Sequence, residues 1–269
     1  MTMTATVRDS LKRRLSPKTF KAILIYYWYA RYYAPRLAAS IIKRRAPEVH
    51  GRPSDLVDQL HGVNLIAPTA FCRIMTNCRS DKGHPHNYTV VYWELFKKLR
   101  DRPLRIFEIG MGTNNPLLAS TMGRDGVPGA SLRGWCKAFP NAQVFGADID
   151  RDILFAEDRI QTFYCDQLDS NAIRELWAQP AMVGEMDIII DDGLHTFQAN
   201  TSFLAGSLEH LRRGGVYVVE DIPKEDLGMW QERLPSYASK FPNCDFALVT
   251  LPDSYKDRFS NMLIIRKRS

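Results

Sequence analysis

One stretch of the sequence, MDIIIDDGLHTF (residues 186–197), ends an apolar run on two adjacent acids. These acids are Asp191 and Asp192, and His195 follows three residues after the second. A short apolar run rich in β-branched residues predicts a buried strand, so both acids come where such a strand ends. In sheets of parallel strands, ligands bind at these carboxyl ends. The stretch is therefore a candidate site for chemistry.

A second stretch, GGVYVVED (residues 214–221), ends in the same way on Glu220 and Asp221. If the two strands are neighbours, four carboxylates meet at one edge, and ionised acids cannot crowd together without a compensating cation. Carboxylate oxygens are hard ligands that suit Mg²⁺, Mn²⁺ or Ca²⁺ rather than Zn²⁺. A bound divalent ion would lower the pKa of a coordinated hydroxyl, and His195 would accept its proton as a neutral imidazole. We expect metal-assisted deprotonation of a hydroxyl at this edge.

Short apolar runs alternate with helical patterns from Leu104 onward, which predicts parallel βαβ units. The runs are apolar on both faces, as in a sheet that helices cover on both sides. Two later runs, CDFALVTL and NMLIIRK, fit a final antiparallel pair. The sequence therefore predicts an α/β fold with a Rossmann-like sheet, parallel strands and a C-terminal antiparallel hairpin. The five parallel runs are LRIFEIG (104–110), QVFGADID (143–150), RIQTFYCD (159–166), MDIIIDD (186–192) and GGVYVVED (214–221).

The first predicted strand ends in a glycine-containing loop that fits a cofactor. Gly110 and Gly112 allow a tight turn and a close approach of the backbone to a ligand. The third glycine of a dinucleotide fingerprint is absent, and Glu108 would repel a pyrophosphate. A carboxylate at this place suits a ligand that has a cationic group and no phosphates.

The next strand ends predict recognition of a nucleoside. Asp148 is placed to accept hydrogen bonds from two ribose hydroxyls, and Asp166 with Gln167 is placed to read an adenine edge. Asp191 is assigned to the cofactor side and Asp192 to the metal. Nucleoside recognition beside Glu108 favours S-adenosylmethionine over NAD as the cofactor, with Mg²⁺ or Mn²⁺ as the metal.

The net charge of +6 is not spread evenly along the chain. Residues 1–50 hold 11 Lys and Arg but only two acids, Asp9 and Glu48, so the remaining residues carry a small net negative charge. The basic character belongs to a tail, and we predict no nucleic-acid partner.

Cysteine usage and hydropathy indicate a protein of the reducing cytoplasm. The five cysteines are an odd number without a CxxC pair, which favours neither a disulfide framework nor a thiolate zinc site. No secretory signal is visible, and the apolar stretch AILIYYWYA (residues 22–30) is too short to span a bilayer.

Residues 1–46 are basic and rich in aromatic side chains, and their pattern predicts a helix. Such a helix packs on the main domain or on another subunit, or it contacts a membrane surface or an acidic partner. Residues 47–100 predict a helical cap. We therefore predict a helical extension and cap over residues 1–100, a catalytic domain over 101–269, and a homo-oligomer.

The stretch SDKGHPHNYTVVYWELFKKL precedes the first predicted strand and leaves two interpretations open. It is either a polar loop followed by a helix, or a lid over the cofactor or acceptor. Tyr92 and Trp93 are expected in the core, and Lys224 and Trp230 are weaker candidates for an acceptor pocket. The lid candidates are Lys82, His84, His86 and Tyr88.

Taken together, EIGMGTNN, QVFGADID, FYCDQLD, IIIDDGLHTF and LRRGGVYVVEDI resemble class I S-adenosylmethionine-dependent methyltransferases. More narrowly, they are similar to the magnesium-dependent sugar O-methyltransferases of macrolide and aminocoumarin biosynthesis, the macrocin O-methyltransferase-like group. The resemblance covers roughly residues 75–221, and Leu194 departs from the group's usual serine. It implies Asp192, Glu220 and Asp221 as metal ligands and His195 as the base. It also implies Glu108, Gly110, Gly112 and Asp148 as cofactor residues.

The expected reaction moves a methyl group from S-adenosylmethionine to a hydroxyl of a sugar or glycosylated metabolite, and chelation implies an acceptor with vicinal hydroxyls. A catechol-type or other small-molecule O-methyltransferase is the first alternative, since catechols also present vicinal oxygens. A cephalosporin hydroxylase-like enzyme is the second. A non-catalytic nucleoside-binding partner is the third, and an NAD oxidoreductase is the least favoured because of Glu108.

Overall fold

The computed structural model describes residues 47–65, 68–83, 86–251 and 260–269, and residues 15, 16, 18, 19 and 23 of the N-terminal region. The chain divides into two compact units, Met1–Arg45 and Ala46–Ser269. In the first unit, Ser16 Oγ accepts a hydrogen bond from the N–H of Thr19 (3.2 Å). The aromatic helix predicted for residues 1–46 otherwise lies outside the described residues, as does His84.

The described strands of the second unit form one mixed sheet: β1 (Glu48–Gly51), β2 (Arg105–Ile109), β3 (Gln143–Asp148), β4 (Ala156–Glu157), β5 (Ile160–Tyr164), β6 (Met186–Asp191), β7 (Leu211–Ile222), β8 (Cys244–Thr250) and β9 (Asn261–Lys267). Their order across the sheet is β1-β8-β9-β7-β6-β2-β3-β5-β4. Strands β7, β6, β2, β3 and β5 run parallel, and β9 pairs antiparallel with both β7 and β8. The predicted α/β class, with its C-terminal hairpin, is confirmed.

Helices cover both faces of the sheet, as the apolar strands require. One core cluster joins α1 to α4 with side chains such as Ile188 and Val218, and the other joins α5 to α7 with side chains such as Ile189 and Tyr217. The α-helices are α1 (Asp55–His61), α2 (Ala70–Asn77), α3 (Tyr88–Phe96), α4 (Ala130–Ala138), α5 (Ser170–Trp177), α6 (Phe197–Ser207) and α7 (Leu227–Lys240).

The alternation of side chains along each strand decides which face an acid reaches. Ile190 of β6 lies beside Glu108 of β2 and Val218 of β7 in the register of the sheet. Two residues further along, Asp192 and Glu220 therefore continue the same face, which is the face covered by α1 to α4. Asp191 points to the opposite face.

The compact units do not divide at the predicted boundary between residues 100 and 101, because residues 46–100 belong to the second unit. Strand β1 pairs antiparallel with β8 at the edge of the sheet. Helices α1, α2 and α3 bury Leu60, Phe71 and Val91 in the core of the sheet. In the part of the chain that the structure describes, no helix is long and apolar enough to cross a bilayer.

Candidate active site

A cavity lies where the parallel strands end, and the glycine loop forms one wall of it. Gly110 has a φ of +86°, and a Cβ there would lie 2.0 Å from the carbonyl oxygen of Asp192. Only glycine allows the two loops to meet this closely. The space within the cavity, including its open mouth, is about 560 Å³. Its lining includes Gly110, Gly112, Thr113, Asp148, Asp166, Gln167 and Asp192.

Asp148 holds the glycine loop in place as well as facing the cavity. Its Oδ2 accepts from the N–H of Met111 (2.8 Å), and its Oδ1 accepts from the N–H of Asp150 (2.9 Å). Asp150 in turn accepts from the hydroxyl of Thr113 in the same loop. Sequence reasoning did not give Asp150 or Thr113 a role, although Asp150 stands two residues from Asp148.

Two residues assigned to the cofactor do not line the cavity. Glu108 is fully buried and accepts from the Ser131 hydroxyl and from Trp135 Nε1 (2.7 Å) on α4. Asp191 is fully buried on the opposite face of the sheet, where it accepts from Gln167 Nε2. Their roles in cofactor binding stay predictions, and the contacts place each of them behind the cavity wall.

Asp191 acts on the cavity through Gln167. The amide of Gln167 donates to Asp191, and its Oε1 accepts from the N–H of Leu194 (2.9 Å), which ties the strand end to the loop that carries His195. Burial raises the pKa of Asp191 to about 6, although the hydrogen bond from Gln167 opposes the shift.

This shift predicts a pH-dependent cost to stability that Asp191→Asn removes. The folded-state pKa is about 6 against an ordinary value of 3.8, so the folded protein holds this proton more tightly. Ionisation of Asp191 therefore costs stability as pH rises from about 4 to above 6, by about 3 kcal/mol in total. Urea unfolding of the cofactor-free protein should show the variant gaining about 2 kcal/mol on the wild type between pH 4.5 and 7.5.

The control for this prediction is Asp169→Asn, which changes an exposed acid but keeps the N-cap of α5. Its stability relative to the wild type should not vary with pH in the same range. A pH-independent difference between Asp191→Asn and the wild type would contradict the assigned cost.

On the other face, three predicted site residues come together. One ligand atom of each of Asp192, His195 and Asp221 lies within 4.8 Å of the other two. His195 has a φ of 60° and Asp221 a φ of 52°, conformations that non-glycine residues seldom adopt and that concentrate at functional sites. Asp221 sits at an irregularity in the pairing of β7 with β9, and such bulges re-aim side chains.

Glu220 is fixed by other partners in this structure. Its Oε1 accepts from the Tyr92 hydroxyl, and its Oε2 accepts from Lys82 Nζ (2.6 Å). The metal-ligand role of Glu220 stays a prediction, and of the predicted ligands it is the one that lies outside the Asp192–His195–Asp221 group.

Lys82 is buried among the acids of the site, with only 1% of its surface exposed. Its Nζ lies 2.6 Å from Asp192 Oδ2 and 3.7 Å from Glu108 Oε2, in addition to its contact with Glu220. Burial alone would lower the pKa of Lys82, but Asp192, Glu108 and Glu220 raise it well above its usual value. The ammonium group is therefore charged.

Two tyrosines of α3 also reach the acids. The Tyr88 hydroxyl donates to Asp221 Oδ1, and the Tyr92 hydroxyl donates to Glu220. Sequence reasoning gave Tyr88 only as a candidate for a lid and expected Tyr92 in the core. Their spacing of four residues puts both on one helix face, which is the signal that could have paired them.

The remaining candidates are placed apart from the cavity lining. His86 is buried, and its Nδ1 lies 3.2 Å from Asp221 Oδ1. Trp230 is fully buried and packs edge-on against Phe197, so it belongs to the core and not to an acceptor pocket. Lys224 is exposed in a short helical turn after β7.

The donor set fits a divalent cation of the magnesium class. The carboxylates of Asp192 and Asp221 supply hard oxygen ligands, and His195 lies beside them. Burial raises the pKa of Glu220 well above its usual value, and it raises that of Asp221 despite the nearby His86 and His195. A divalent cation beside these acids would favour their ionised forms.

No protein-family model matches the chain. Curated relatives do match it. The 8-demethyl-8-alpha-L-rhamnosyl tetracenomycin-C 2'-O-methyltransferase of Streptomyces olivaceus is 35% identical over 143 residues, which are 53% of this chain and 35% of that protein. The demethylmacrocin O-methyltransferase of Streptomyces fradiae is 36% identical over 175 residues, which are 59% of this chain and 41% of that protein. The chain thus spans less than half the length of these relatives.

Solved structures show the same relationship. The MycE methyltransferase from the mycinamycin biosynthetic pathway, in complex with Mg and SAH, superposes with a TM-score of 0.57 at 25% identity. The match covers 78% of this chain and 56% of that one. A complex of the same enzyme with Mg, SAH and mycinamycin VI gives a TM-score of 0.55. The resemblance to the sugar O-methyltransferase group is confirmed, and Ala46–Ser269 has the fold of the class I S-adenosylmethionine-dependent methyltransferases.

Proposed function

We propose that this chain is a metal-dependent O-methyltransferase that moves a methyl group from S-adenosylmethionine to a hydroxyl of a sugar or glycosylated metabolite. The observation that carries the proposal is the position of Asp192. Asp192 lines the cavity at the glycine loop, and it also belongs to the group with His195 and Asp221. A cofactor site and a metal site that share one residue bring two reactants together.

The residues that line the cavity support S-adenosylmethionine as the proposed cofactor. Asp148 and Asp166 offer carboxylates, and Gln167 and the backbone of the glycine loop border the same space. Glu108, Gly110, Gly112 and Asp191 complete the proposed cofactor set, with Glu108 and Asp191 acting from behind the wall. The MycE structures contain SAH, which supports the same class of ligand here.

Asp192 and Asp221 would hold the metal, and Glu220 is a further proposed ligand. When bound, S-adenosylmethionine supplies an electrophilic methyl group, and Mg²⁺ or Mn²⁺ supplies a Lewis acid that orients and acidifies vicinal hydroxyls of the acceptor. The Mg in the MycE complexes supports this choice of metal.

His195 is the proposed base. Its Nε2 lies 3.9 Å from Asp221 Oδ2, and its side chain is 20% exposed, so an acceptor can reach it. As a neutral imidazole, His195 accepts the proton of the attacking hydroxyl, and Asp221 stabilises the imidazolium that forms. The loop that carries His195 is fixed through Leu194 and Gln167, which holds the base beside the cavity.

The acceptor class is tested by methyl transfer from labelled S-adenosylmethionine in the presence of Mg²⁺. We expect transfer to a glycosylated macrolide or polyketide that carries vicinal sugar hydroxyls, and none to its aglycone. Catechol is the matched small-molecule acceptor. If methyl transfer to catechol is faster than transfer to every glycoside tested, the proposed sugar acceptor is wrong and a catechol-type acceptor takes its place.

Four finer predictions remain part of the proposal. Residues 1–46 are expected to contact another subunit or a membrane surface, and the chain is expected to form a homo-oligomer. No nucleic-acid partner is expected, since the excess of basic over acidic residues lies in residues 1–50. A cytoplasmic location is expected from the cysteine usage.

A further inference from the structure

The acids of the proposed metal site share one buried lysine. Lys82 precedes the sheet in sequence and reaches its carboxyl edge, where it touches Glu108, Asp192 and Glu220. With 1% of its surface exposed, Lys82 makes these contacts away from solvent. Removing one partner of a buried ion pair strongly destabilises the folded protein, because the other charge stays buried without a partner.

The charges of the site explain why a lysine is placed there. Glu108, Asp192, Glu220 and Asp221 bring four carboxylates to one face of the sheet edge, and a divalent ion offsets only two of their charges. The Lys82 ammonium offsets a third. Lys82 therefore offsets part of the negative charge that these carboxylates carry when they are ionised.

We propose that Lys82 is a resident counter-cation of this acid cluster: its ammonium group pairs with Asp192 and Glu220 and holds both side chains in position. Lys82 is accordingly a positioning residue. The part of the inference that concerns metal affinity rests on the proposed function, whereas the part that concerns the cluster itself does not.

The first experiment uses chelator-treated full-length protein and needs no metal. Lys82→Met keeps the length of the side chain and removes the charge, and we expect its Tm to fall by about 10 °C. Adding Glu220→Gln to this variant removes the acid that lost its partner, so the double variant should regain much of the Tm. In the wild-type background, Glu220→Gln should lower the Tm. Lys97→Met, in the partly exposed pair with Glu94, should change it little.

The second experiment titrates the same proteins with Mn²⁺ by calorimetry, at a temperature where each is folded. Removing a positive charge beside the ligands should tighten Mn²⁺ binding by about tenfold or more. Lys82→Arg restores the charge and should bind Mn²⁺ within about threefold of the wild type. A purely structural role for Lys82 would predict no such dependence on charge.

The outcomes separate this inference from the proposed function. The proposal that Lys82 is a counter-cation would be overturned if the double variant is no more stable than Lys82→Met. It would also be overturned if both variants fail to fold. Equal or weaker Mn²⁺ binding by Lys82→Met would overturn it as well. If neither the wild type nor Lys82→Met binds Mn²⁺, the metal of the proposed function is contradicted, and the metal-free experiment alone decides the role of Lys82.

Discussion

Asp192→Asn is expected to lower the rate of Mg²⁺-dependent methyl transfer by at least about 10³-fold, because it removes the carboxylate that both proposed sites share. The amide keeps the shape of the side chain and can still accept from Lys82 Nζ, so the fold should be retained. Turnover is measured with saturating acceptor over a range of Mg²⁺ concentrations, beside calorimetric titration with Mn²⁺.

Asp245→Asn is the control for this prediction. Asp245 lies at the start of β8 and pairs with the exposed Arg268, far from the strand ends that form the cavity. Its turnover should match the wild type. An Asp192→Asn variant that retains wild-type turnover and Mn²⁺ affinity would remove Asp192 from the metal site.

His195→Gln should lower kcat by about 10²- to 10⁴-fold, the usual contribution of a positioned general base. Its affinity for S-adenosylhomocysteine should stay within about twofold of the wild type, because the side chain of His195 points to Asp221 and not into the cavity lining. Single-turnover rates and calorimetric titration separate the two effects.

His86→Gln is the informative comparison, since His86 is the other imidazole beside Asp221. His86 is buried, whereas the side chain of His195 is 20% exposed, so an acceptor reaches His195 more readily. A larger loss of kcat in His86→Gln than in His195→Gln would move the base to His86. Equal losses of rate and of cofactor affinity in His195→Gln would make His195 structural.

The parallel core of the fold could be predicted because its strands are apolar on both faces and end on polar residues. Strand β6 illustrates this, since Ile188, Ile189 and Ile190 are all fully buried. Strand β1 could not be predicted in the same way. Its sequence, EVHG, has no run of apolar residues, and it pairs through its backbone at the edge of the sheet.

Asp191 and Asp192 are adjacent in the sequence but lie on opposite faces of the sheet in the structure. The sequence places Asp191 and Asp192 together at a strand end, but successive side chains of a strand point to opposite faces. Asp192 thus joins the proposed metal site, while Asp191 is buried behind Gln167. The sequence assigned Asp192 to the metal and Asp191 to the cofactor side, and the register with β2 and β7 adds the face of the sheet on which each acid lies.

The contribution of residues 80–92 could not be read from the sequence in any detail. Lys82 and Tyr88 were candidates for a lid, but their partners lie more than 100 residues away along the chain. No local pattern encodes such a contact. The helix α3 that carries Tyr88 and Tyr92 is buried over most of its surface, and a nearly uniform apolar sequence does not show which face meets the acids.

The most direct test of the central claim is calorimetric titration of the chelator-treated protein with S-adenosylhomocysteine, with and without Mg²⁺, beside NADH. The cavity at Gly110, Asp148 and Gln167 predicts tight binding of S-adenosylhomocysteine and none of NADH, because the glycine loop lacks the third glycine of a dinucleotide fingerprint. Binding of NADH in preference, or no binding of S-adenosylhomocysteine, would contradict the assignment as a methyltransferase.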